Sequence, residues 1–211
     1  MQQRLALLRQ QRRLSPHFHF HYADVPRRVA QAFFEAVRDA PFSARATVVG
    51  KAVLPDTWRR MPGQWMVEHF IARTIMGARA EWVEDAVLIF DGPRRETKII
   101  HGIRATISHL FAERELAYRP KKVTARPAAE EDGLQMADMI AGAAWDEIGG
   151  VAQGYLAQLK EQLEIVYVPD IKTTPASGDA LTQILSLWNP TRAHRPGTPS
   201  PGGNLMLQVF D

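Results

Sequence analysis

The sequence predicts an α/β fold, a mixed sheet flanked by helices. Three observations predict it. Short runs rich in β-branched and apolar residues recur at 44–54, 86–90 and 122–126. Between them lie longer segments with apolar residues at helical spacing, the alternation that covers a sheet with helices. Hydrophobic residues make up 45% of the 211, enough to fill a core between such layers. Residues 1–170 read as one domain. Residues 171–211 read as a Pro/Gly-rich tail, with HRPGTPSPGG at 194–203 its most biased stretch.

Residues 3–13 predict a basic helix with Leu5 and Leu8 on one side, ended by Ser15-Pro16. His17 to Tyr22 alternates: Phe18, Phe20 and Tyr22 point one way and His17, His19 and His21 the other, as in a half-buried strand. Asp24-Val25-Pro26 signals a helix start, and Val29, Ala30, Phe33, Phe34 and Val37 give the apolar face of a helix over 26–39. ARATVVGKAVL at 44–54 predicts a strand that carries Lys51. Met66, Phe70, Ile71 and Ile75 predict a helix near 63–79. AVLIF at 86–90 has the continuous apolar character of a strand buried on both faces, and Asp91 closes it. Ile99, Ile103, Ile107, Leu110 and Phe111 line one side of a helix over 97–117. KVTAR at 122–126 predicts a strand. An acidic loop and a helix from Leu134 to about Glu147 follow, broken by Gly149-Gly150. A helix near 151–163 and a strand near 164–168 complete the ordered part.

Composition narrows the chemistry. The chain has no cysteine, so a disulfide framework, a thiolate zinc site and a cysteine nucleophile are excluded, and a reducing, cytoplasmic setting is expected. No run of about 18 apolar residues is present, so no membrane partner is expected. Formal net charge is +3 with a pI near 9.4. The bases come as pairs: Arg12-Arg13, Arg27-Arg28, Arg59-Arg60, Arg94-Arg95 and Lys121-Lys122. Such pairs contact phosphates if they share a face, and are otherwise scattered solvated charge. Neither common phosphate loop nor a Gly-x-Ser-x-Gly elbow occurs.

Three constellations could carry chemistry. Asp91 stands at the carboxyl end of a strand, where open α/β sheets bind ligands; its bland reading is turn chemistry in Asp-Gly-Pro. Glu130, Glu131 and Asp132 precede Asp138, which lies among small and apolar residues of a helix. Asp91 and Asp138 could share a hard divalent ion, which takes oxygen ligands; the alternative is an Asp on a helix edge. His17, His19 and His21 could hold zinc on one strand face, or simply form its polar side.

Taken together, HFHF at 17–20, the Arg28–Phe34 helix with its paired phenylalanines, PFSARATVVGKAVL at 41–54, VLIFDG at 87–92 and GLQMADMIAGA at 133–143 resemble the domain of unknown function 3800 family. The Leu-Gln-x-Ala-Asp helix start is the most specific of these. The resemblance runs from about Leu5 to Glu147. It implies a ribonuclease H-like fold and a metal-dependent nuclease, with Mg²⁺ or Mn²⁺ activating a water for phosphodiester cleavage. It implies Asp91 and Asp138 as metal ligands, Asp132 as a third, and His19 and Lys51 as groups that contact phosphate or position water. It implies nucleic acid as partner. The chain departs from the family in having no Asp-Glu-Ser-Gly strand before residue 5, so it reads as N-terminally truncated relative to the family, and His17 replaces the usual Glu. The expectation is therefore an impaired nuclease, or a homodimer or partner chain completing the sheet. The alternatives are a non-catalytic nucleic-acid- or protein-binding module on the same scaffold and a zinc-dependent hydrolase built on the HxHxH segment.

Overall fold

The computed structural model describes residues 1–49, 54–92, 98–151 and 153–167. Lys51, Arg94-Arg95 and the 171–211 tail lie outside them. Among the described residues seven α-helices and four strands follow in mixed order: α1 (Gln2–Gln11), α2 (Arg27–Val37), β1 (Ala44–Val48), α3 (Asp56–Arg59), α4 (Gly63–Met76), α5 (Ala80–Val83), β2 (Val87–Asp91), α6 (Lys98–Glu113), β3 (Lys122–Arg126), α7 (Asp132–Ile148) and β4 (Leu163–Tyr167). The class is mixed α/β. Among the described residues the strands form two parallel pairs, β1 with β4 and β2 with β3, rather than one mixed sheet. Helix α7 packs against both β1 and β2, and α4 packs along α6 and against β1.

Two apolar clusters account for most of the core. Leu5 and Leu8 of α1, Phe33, Phe34 and Val37 of α2, Phe20, and Met136, Met139 and Ile140 of α7 form the first. Ile75 of α4, Val83 of α5, Leu88 and Phe90 of β2, Ile103, Ile107 and Phe111 of α6, and Val123 of β3 form the second. Each fully buried large side chain contributes roughly 1.5–3 kcal/mol. The helix α2 exists because its apolar residues recur at 3.6-residue spacing, so Phe33, Phe34 and Val37 are all fully buried. Helix α7 ends where Gly150 takes φ +77°, a conformation that costs glycine little.

Several expectations change. Residues 17–22 form no strand. Among the described residues no strand pairs with them, and side chains of α7 take the N–H groups of Phe20 and Tyr22 instead. Nor does burial alternate: Phe20 is fully buried and packs edge-on against Phe18 at 5.2 Å, while Phe18, His19, His21 and Tyr22 are all half-buried. Strand β2 is not covered on both faces, because Leu88 and Phe90 enter the second cluster while Val87 stays exposed. In α6 the core face runs through Ile100 rather than Ile99: Ile100 is buried and Ile99 exposed, since a spacing of three to Ile103 keeps the stripe on one side. The helix expected near 151–163 is reduced to a short 3-10 turn at Leu156–Leu159, with Gly154 at φ +71° just before it. Helices α3 and α5, of one turn each, were not foreseen.

Candidate active site

The Leu-Gln-x-Ala-Asp segment works through two side chains three residues apart, which places them on one face of α7. Gln135 is 1% exposed. Its Oε1 accepts the N–H of Phe20 at 3.0 Å and Arg9 Nη2 at 3.2 Å, and its Nε2 donates to the carbonyl of Ala128 at 3.0 Å. Asp138 Oδ2 accepts the N–H of Tyr22 at 2.8 Å. Alternate N–H groups of an extended segment thus find side-chain acceptors where a strand would find carbonyls. Arg9 completes the clamp. It donates to the carbonyl of Phe18 at 2.9 Å, pairs with Asp132 at 3.1 Å and lies over the Phe20 ring.

The site residues expected from the sequence fall into different places. Asp91, at the exposed end of β2, accepts the N–H of Ala128 at 2.8 Å, so it caps the turn that leads into α7. Asp132 faces Arg9. Asp138 sits six residues further along α7, about 9 Å on and about a third of a turn round. Among the described residues no group of three or more His, Asp or Glu is placed to hold a metal ion. His17 is exposed. His19 is half-buried, and its Nε2 is buried without a hydrogen-bond partner among the described residues. His21 lies with Nε2 3.9 Å from Asp138 Oδ1 and Nδ1 3.4 Å from Asp24 Oδ2.

Asp138 and His21 share the wall of a pocket of about 480 Å³, together with Tyr22, Arg27, Gly142, Trp145, Asp146 and Tyr155. The Tyr22 hydroxyl donates to Asp146 Oδ2 at 2.7 Å. Burial first, and then the Asp146 carboxylate, hold the Tyr22 phenol well above its ordinary value, so it remains a donor. Its ring rests on bare helix backbone: a Cβ on Gly142 would lie 2.2 Å from the Tyr22 ring. Tyr155 stacks on Phe34 at 4.9 Å and donates to the carbonyl of Arg27 at 3.3 Å. Sequence reasoning reached Asp138 but missed Tyr22, Arg27, Trp145 and Asp146 as a group. The pocket joins segments about 120 residues apart, and only Gly142, a small residue within a helix, hinted at a close approach.

Chemically, one oxygen of Asp138 is anchored by backbone and the other turns to an imidazole that a second carboxylate, Asp24, flanks. Such a pair can accept and pass a proton at a bound water. Comparison with protein-family models, with curated proteins and with solved structures gave no match. Among the described residues no helix is long and apolar enough to cross a membrane.

Proposed function

We propose that the chain is a ribonuclease H-like, divalent-ion-dependent phosphodiester hydrolase acting on nucleic acid, with Asp138 and His21 as its working pair. The observation that carries this reading is the position of Asp138, fixed through Oδ2 while Oδ1 stands beside His21 on the wall of a pocket. Asp138 would hold the ion with few protein ligands, since Mg²⁺ keeps several waters and takes phosphate oxygens. When bound, the ion supplies charge stabilisation to the phosphoryl oxygens. His21 accepts the proton of the attacking water. The water oxygen forms the new bond to phosphorus, the bond to the departing sugar oxygen breaks, and that oxygen takes up a proton. Arg27, exposed at the start of α2, supplies positive charge for the adjoining phosphate.

The test is cleavage of a labelled single-stranded oligonucleotide with Mn²⁺ by wild type, Asp138→Asn and His21→Gln. Cleavage by the wild type that both variants reduce at least about 100-fold supports the reading. No cleavage by the wild type with Mg²⁺ or Mn²⁺ overturns it.

A second reading is non-catalytic binding at the same pocket. It is favoured by the structural engagement of all three expected carboxylates: Asp91 by Ala128, Asp132 by Arg9 and Asp138 by Tyr22. It predicts salt-sensitive binding without cleavage. Each of β1 and β2 has one bonded strand neighbour among the described residues. A second copy or another chain adding a strand there belongs to either reading.

A further inference from the structure

The pocket beside Asp138 has a wall that hydrolysis itself leaves unused. Trp145 lines it while remaining 51% exposed, so the pocket has a large, solvent-accessible aromatic residue in its wall. Behind it the aromatic surface is rigid. Tyr22 is held by Asp146 and by contact with the backbone at Gly142, and Tyr155 is stacked on Phe34. Asp146 and Gln153 belong to the same lining. The charges are of both signs, Arg27 and His21 against Asp138 and Asp146. The lining is therefore not an anionic cage for a simple cation. Its volume of about 480 Å³ lies within the range of small-molecule pockets.

We propose that this pocket takes one unstacked base of a single-stranded nucleic acid, with the base against Trp145 and its phosphate toward Arg27. The proposal rests on the phosphodiesterase reading and names its substrate class. A nucleobase offers what this lining matches: a π face for the indole and a hydrogen-bonding edge for Asp146 and Gln153. Arg27 and Arg28 are both exposed in the first turn of α2, where backbone N–H groups also favour an anion. A paired duplex buries its base faces, so the pocket selects single strands or extruded bases.

The test is an equilibrium titration of the full chain in EDTA, which blocks metal-dependent cleavage. A dye-labelled single-stranded tetranucleotide is compared with an abasic tetranucleotide of the same charge, read by anisotropy. The base-bearing oligomer is expected to bind at least about tenfold tighter. Trp145→Ala should remove most of that preference, Trp145→Phe should keep it within about threefold, and Arg27→Ala should weaken both oligomers alike. Circular dichroism checks that the variants fold, which the exposure of Trp145 leads us to expect. Equal binding of the two oligomers, no binding, or an undiminished preference in Trp145→Ala would overturn the proposal. Base-selective binding by a chain that never cleaves leaves the base pocket standing and removes the hydrolase. Cleavage without base selectivity does the reverse.

Discussion

Asp138 divides its carboxylate between two tasks: Oδ2 accepts the Tyr22 N–H at 2.8 Å, and Oδ1 lies 3.9 Å from His21 Nε2. Fold and chemistry therefore separate on substitution. Asp138→Ala leaves a part-buried N–H unpaired and should lower stability by about 1–3 kcal/mol. Asp138→Asn keeps an acceptor for Tyr22 and should stay within about 1 kcal/mol of wild type while losing activity. Urea midpoints of the two variants check this. Equal stability of Asp138→Ala and wild type would show that the Tyr22 bond does not matter.

Gly142→Ala tests the seat of Tyr22. Glycine to alanine inside a helix ordinarily stabilises by up to about 1 kcal/mol. Here the new methyl meets the Tyr22 ring at 2.2 Å. The expected sign is reversed, a loss of about 1–3 kcal/mol as the ring is pushed from the pocket. Thermal denaturation reads it as a fall of several degrees in Tm. A raised Tm would mean that Tyr22 moves aside freely.

Gln135→Leu removes three hydrogen bonds at a residue that is 1% exposed. The N–H of Phe20 loses its partner, while the carbonyl of Ala128 keeps the N–H of Glu131 at 3.2 Å. The expected loss is about 1–3 kcal/mol. Hydrogen exchange at the Phe20 amide should accelerate more than at amides of α6. Uniform exchange across both would show that Gln135 does not hold the 18–22 segment.

His69 sets an acid limb to stability. It is buried beneath Trp58 and Trp65 and accepts Arg73 Nε on its Nε2 at 2.6 Å. Burial, then the charges of Arg73 and His109, push its pKa down to about 3, against 6.5 unfolded. The unfolded chain thus binds a proton between these values that the folded chain refuses. Stability is whole above pH 6.5 and falls as pH drops toward 3, by at most about 1.4 kcal/mol per unit from this group. Unfolding free energies from urea titrations at pH 7 and 5 should differ by up to about 2 kcal/mol from this source. The difference should shrink in His69→Gln. An unchanged difference in that variant would contradict the assignment.

Arg73 is the second buried base of this cluster, also with a lowered pKa. Its side chain is 0% exposed, and Nη1 and Nη2 have no hydrogen-bond partner among the described residues. Burial, then the Arg114 charge, pushes its pKa down to about 10. Arg73→Met keeps bulk and removes two unmet donors, at the loss of one bond to His69. We expect stability within about 1 kcal/mol of wild type or above it. Arg73→Ala, which leaves a cavity, should cost about 2 kcal/mol or more. A Met variant as damaged as the Ala variant would show that the charge itself is needed.

What could be read from the sequence was local. Strand β3 falls on KVTAR, and the phenylalanines of α2 lie where helical spacing puts them, because neighbouring residues decide both. The 17–22 segment was misread because alternation reports two faces, not a bonded neighbour. Here the neighbour is a helix offering Gln135 and Asp138. Ile99 and Ile100 were exchanged because both are β-branched and adjacent, and only packing against α4 and β3 chooses between them. Asp138 was visible as a carboxylate among small residues. Its partners were not, since His21 and Tyr22 meet it through long-range packing that no spacing encodes.

The central claim is that Asp138 serves a metal-dependent site and not the fold alone. Calorimetric titration of Mn²⁺ into wild type and Asp138→Asn tests it most directly. Binding near one equivalent is expected in the wild type, with its loss in a variant that remains folded. Absence of binding in the wild type, or equal binding in the two proteins, would contradict it.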